Sequence, residues 1–121
     1  MQALPIFLVA LVAIEHIYIL VLEMFLWNRD RTLKIFGIAK ENADVLKPMA
    51  ANQGLYNGFL AAGLIWGLIH PNAEFGHQLQ LFFLGCVLVA AIYGSLTVKK
   101  SIILMQGVPA VLAILAVSFL S

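Results

Sequence analysis

Four apolar stretches, broken by short polar or charged segments, dominate the pattern of this chain. They cover residues 4–27, 48–70, 78–98 and 101–120. Each has about 20 residues or more, enough for a helix rising about 1.5 Å per residue to cross the hydrocarbon of a bilayer. Each therefore predicts a spanning helix. Pro48 suits the first position of the second helix, where its missing N–H has no partner to lose. Pro71–His77 links the second stretch to the third, and Lys99-Lys100-Ser101 links the third to the fourth. The shortness of that last link predicts an antiparallel helical hairpin. The predicted fold class is all-α integral membrane: a four-transmembrane-helix bundle, one domain over residues 1–121.

The single long link, Asn28–Lys47, carries most of the charge. Within it Phe36, Ala39, Ala43 and Leu46 recur at helical spacing, which predicts a short interfacial helix; the alternative is a solvated loop. All seven Lys and Arg of the chain lie in this link or at Lys99 and Lys100. With four spans both links share one side. The excess of cations assigns that side to the cytoplasm and both termini to the outside, in a multi-pass protein. The first apolar stretch starts without a cationic leader and is longer than the core of a signal peptide, so it is read as retained.

Composition sharpens the class. The chain is 63% hydrophobic and 11% charged, against about 25% charged in a soluble domain, so the lipid bilayer is its first partner. No basic block or nucleic-acid motif occurs, so no nucleic-acid partner is expected. A single cysteine, Cys86, permits no internal disulfide. No cofactor or metal is expected. Phosphate-loop, nucleophile-elbow and haem-attachment motifs are missing, and adjacent Glu15 and His16 lack the i,i+3 or i,i+4 spacing that brings two ligands together.

Polar residues inside the spans carry the functional signal. Glu15 and His16 fall at the midplane of the first span, and Glu23 lies about 12 Å nearer the cytoplasm. A central carboxyl costs roughly 2.5–3.5 kcal/mol on insertion scales, so it faces a partner or a wet cavity. Seven positions apart, His16 and Glu23 share one helical face to within about 20°, with Glu15 and Tyr18 at its borders. Gln53 and Asn57 share a face of the second span at i,i+4, with Tyr56 beside them. Tyr93 on the third span and Gln106 on the fourth lie at the same depth. These nine residues, Glu15, His16, Tyr18, Glu23, Gln53, Tyr56, Asn57, Tyr93 and Gln106, form the candidate ligand- or proton-binding site, a polar pocket in the cytoplasmic half. A hydrogen-bond network that merely ties helices together is the competing interpretation. With no Lys or Arg in the spans, Glu15 is a candidate proton switch. Gly54, Gly58, Gly63 and Gly67, with Gly85, Ala90 and Gly94, permit close helix contact and a homo-oligomer. Pro109 frees the carbonyl of Met105 and predicts a kink in the fourth span.

The residues Glu15-His16-x-Tyr18, Glu23-Met24-Phe25 and Lys47-Pro48-Met49-Ala50-Ala51-Asn52-Gln53-Gly54-Leu55-Tyr56-Asn57-Gly58 carry a resemblance. With Gln80–Cys86, Ile92-Tyr93-Gly94, Gln106-Gly107 and Pro109, the chain resembles the small bacterial membrane proteins grouped as domain of unknown function family 1304. The resemblance spans essentially the whole chain and implies a four-helix protein of a bacterial cytoplasmic (inner) membrane, with no activity to carry over. Glu15 is also similar, in position alone, to the embedded Glu of small multidrug resistance transporters. The one-sided charge here argues against the dual insertion those proteins use.

Three functions fit these residues. The first is binding or transport of a small, partly apolar or cationic molecule at the polar pocket. The second is a membrane enzyme acting on a lipid or isoprenoid-like substrate, with Glu and His as acid and base. The third is a structural or regulatory subunit.

Overall fold

A computed structural model describes residues 3–121; Met1 and Gln2, the first residues of the uncharged leader, lie outside the described residues. The described chain is helical and contains no strand. It forms α1 (Ala3–Met24), α2 (Asp30–Phe36), a 3₁₀ turn (Lys40–Asn42), α3 (Ala43–Ile69), α4 (Ala73–Thr97), a π-helical turn (Ile103–Gly107) and α5 (Val108–Leu120). Three runs are long and apolar enough to cross a membrane: α1, α4 and Ile103–Leu120.

The expectation of four spanning helices is met in part. Among the described residues there are five α-helices, and α3, which contains the second apolar stretch, does not join those three. Asn52, Gln53, Tyr56 and Asn57 dilute its apolar character, although its 27 residues make it about 40 Å long.

The boundaries shift for local reasons. α3 begins at Ala43 with Pro48 inside it, because Ala43 is buried beneath Trp27 and accepts the indole N–H through its carbonyl at 3.0 Å. Packing extends this helix upstream of its proline. α4 begins at Ala73 rather than residue 78, since the Asn72 side chain caps it by accepting the Phe75 N–H at 3.0 Å. α1 stops at Met24, and Trp27 turns away from the helix. The expected kink before Pro109 appears as a π turn, in which the Val108 N–H reaches the carbonyl of Ile103, five residues back.

Two compact units make up the chain. One takes in the chain up to Ile14 together with Leu60–Ser121; the other is Glu15–Phe59. The first unit is organised on Val9, Val12, Leu64, Leu84, Ala110 and Ala113, all fully buried. Within it, α3 and α4 approach so closely that a Cβ on Gly76 would stand 2.6 Å from the Gly67 carbonyl oxygen. Glycine is required there. Gln80 closes the same contact by donating its side-chain N–H to that carbonyl at 3.0 Å.

In the second unit, Trp27, Leu33, Ala43 and Ala50 form a separate cluster with Phe36, Ile38 and Leu46. Phe36, Ala43 and Leu46 do meet, as their spacing suggested, but not along one helix. Gly37, at a φ of 70°, ends α2 and reverses the chain, so the cluster is assembled from two helices and the turn between them.

Candidate functional site

Glu15–Phe59 contains seven of the nine predicted site residues, and their environments divide them. His16 is 1% exposed and Glu23 7%, in keeping with the shared face that their seven-residue spacing defines. Glu15 flanks that face, half-buried.

Glu23 and Asn57 meet directly. The Asn57 side-chain amide donates at 2.8 Å to Glu23 Oε1 and at 3.2 Å to the Gln53 carbonyl oxygen. Gly54 makes this meeting possible. A Cβ at that position would lie 2.7 Å from Met24 Cγ and 3.1 Å from Glu23 Cβ, so the bare backbone of α3 lets the carboxyl-bearing turn of α1 come close. The spacing of Gly54 and Asn57, one turn apart on α3, sets the carboxyl beside its amide donor.

The remaining positions differ in exposure and partners. Gln53 takes part through its backbone carbonyl, while its side chain is exposed. Tyr18 and Tyr56 are each 50% exposed, and Tyr56 packs edge-on to Phe59. Tyr93 and Gln106 belong to the other unit. Tyr93 is 68% exposed beside a shallow groove with Phe82 and Cys86. Hydroxyls near Tyr93 are used locally: Ser95 donates to the Ile92 carbonyl and Thr97 to the Tyr93 carbonyl, each at 2.8 Å. Hydroxyls satisfied by their own helix need no pocket.

One group stands apart. Glu15 Oε1 is buried and has no hydrogen-bond partner. Leaving such an acceptor unsatisfied costs roughly 1–3 kcal/mol, and packing alone gives no reason to keep a carboxyl there. Two carboxyls thus sit on neighbouring faces of α1, one held by an amide and one with an oxygen unmatched. That arrangement can take a proton or a cationic group. Among the described residues, no three His, Cys, Asp or Glu side chains gather in a set that could hold a metal.

Trp27 was missed as an organising residue. Its indole N–H pins the loop after α1 to the first residue of α3. A buried indole needs an acceptor, but nothing in the sequence says which carbonyl provides it.

The model of the family described as "Protein of unknown function (DUF1304)" matches residues 10–118. The uncharacterized protein YpaA of Lactococcus lactis subsp. lactis (strain IL1403) is 36% identical over 121 residues, covering 98% of this chain and all of the relative. No solved structure matches.

Proposed function

We propose that this chain, which belongs to the DUF1304 family by its match over residues 10–118, is a four-span membrane protein that binds a small, partly apolar cation. The binding groups are Glu15 and Glu23, with Asn57 holding Glu23 and His16 buried on the same helix face. The unpartnered, buried Glu15 oxygen carries this reading. A carboxyl kept within an apolar helix at a cost in stability is matched by a ligand charge or by a proton. Movement of the cation across the membrane in exchange for protons is the transport form of the same chemistry. The one-sided placement of all seven Lys and Arg supports an orientation with Asn28–Lys47 in the cytoplasm and the termini outside.

The test uses purified full-length protein in detergent and tetraphenylphosphonium as the apolar cation. Equilibrium dialysis should give saturable binding that strengthens as pH rises, because protons compete for the same carboxyls. Glu15→Gln should abolish it, while tetraphenylborate, of like shape and opposite charge, should not bind. If Glu15→Gln binds the cation as the parent does, the reading fails. If that variant loses stability and the parent shows no saturable binding, the polar residues serve packing. Orientation is tested separately by labelling cysteines placed at Asn42 and Asn72 in a Cys86→Ala background; an Asn72 accessible from the cytoplasm overturns it.

A further inference from the structure

The loop after α1 and the start of α3 enclose a second site that the cation reading does not use. The chain from Met24 to Arg29, together with Lys47, lines a cleft of about 270 Å³. At about 30 Å³ per water, this is the space of roughly nine water molecules, ample for a phosphate and the groups esterified to it. Its two cations come from different elements. Arg29 follows α1 across a hydrogen-bonded turn in which its N–H reaches the Leu26 carbonyl, and Lys47 lies in the second turn of α3.

Trp27 holds the two elements together. Its indole bond to the Ala43 carbonyl and its ring contact with Phe36, centroids 5.6 Å apart, tie the loop to the base of α3. The cleft is thereby a built feature rather than a chance meeting of mobile lysines.

Neither cation has a carboxylate partner. The ion pair found among the described residues joins Lys40 to Asp30 and leaves Arg29 and Lys47 unmatched. Apolar surface lines the same cleft: Phe25 is 72% exposed. The cleft thus sits where the apolar α1 gives way to charged chain, and its lining includes both cations and the apolar Phe25. A phospholipid has the same division at its phosphate.

We propose that this cleft binds the phosphodiester headgroup of an anionic membrane lipid, with Arg29 and Lys47 on the phosphate and Phe25 against the glycerol and upper acyl chains. The guanidinium presents a fork to two phosphate oxygens and the lysine supplies a point charge. A free phosphate ion shares the charge but lacks the apolar half. A zwitterionic lipid shares the apolar half but carries a compensating cation. The site requires that α1 enter a membrane; it is independent of what binds Glu15.

Native mass spectrometry of the full chain in detergent tests this, with phosphatidylglycerol, phosphatidylcholine and inorganic phosphate as probes. Phosphatidylglycerol should be retained as a discrete one-to-one adduct, phosphatidylcholine much less, and inorganic phosphate should not displace it at equal concentration. Arg29→Gln with Lys47→Gln should weaken phosphatidylglycerol binding about tenfold or more, given the contribution of each cation near a lipid surface. Arg31→Gln with Lys34→Gln removes the same charge from exposed positions on α2 and should change binding less than about twofold. Arg29→Lys with Lys47→Arg keeps both charges and should restore the adduct, which separates lost recognition from lost folding. Equal weakening by the two neutralised pairs would overturn the proposal, because the attraction would then be diffuse. So would displacement by inorganic phosphate, or equal retention of phosphatidylcholine.

Discussion

The two units of this molecule bury different kinds of side chain. The unit containing Leu60–Ser121 closes on aliphatic residues, and its buried amide, Gln80, is satisfied by a backbone carbonyl 3.0 Å away. The unit Glu15–Phe59 buries His16, Glu23 and Thr32 and leaves a Glu15 oxygen without a partner. One arrangement favours tight packing and demands little of its polar groups. The other accepts desolvated carboxyls inside an apolar helix, at a cost in stability. Stability and chemistry are therefore expected to respond to substitutions in different places.

The largest expected effect falls in the aliphatic unit. Leu84 is fully buried, and Leu84→Ala should lower unfolding stability by about 2–4 kcal/mol through the cavity it leaves. Reversible unfolding in mixed micelles measures it, and cation binding per folded molecule should stay at the parent level. If binding fell in step with stability, the division between the units would be wrong.

Next comes a pair of glycines. Gly54→Ala forces a Cβ against Met24, Glu23 and the Leu20 carbonyl and should cost about 1–2 kcal/mol as an overpacking change. Gly85→Ala meets nothing within 4 Å and should be neutral or slightly stabilising, as alanine is the better helix former. Unfolding curves of the two variants, taken side by side, check the close approach in the polar unit.

Asn57→Leu removes the donor from Glu23 while keeping the volume. It should cost about 1–2 kcal/mol, the usual range for a buried acceptor left unmatched, and should weaken cation binding in the same dialysis assay. Unchanged stability would mean that the 2.8 Å contact adds nothing to folding.

The smallest effect is expected at Trp27→Phe, which keeps the ring and loses the bond to the Ala43 carbonyl. A loss of about 1 kcal/mol is expected. Hydrogen exchange should rise at the start of α3 and remain unchanged in α4.

Helical periodicity and spacing made much of this legible from residue order. Apolar run length set the positions of the long helices, because a bilayer imposes a minimum length on any span. The seven-residue separation of His16 and Glu23 set their shared face, and both are buried. Pro109 marked the irregular turn that precedes α5, because a proline cannot donate the helical bond. All of these are properties of a single helix, and residue order defines them.

Tertiary contacts decided the rest. Pro48 marked the start of a helix by its own chemistry, yet α3 begins at Ala43 because Trp27 packs there and needs its carbonyl. Depth along a helix, by itself, says nothing about which neighbour a side chain meets. Asn57 was one of two amides on a shared face of the second span, and the close approach at Gly54 made it the donor to Glu23. The unmatched oxygen of Glu15 also comes from packing: residue order puts a carboxyl in an apolar helix, while its hydrogen bonds depend on which groups the surrounding fold brings within about 3 Å.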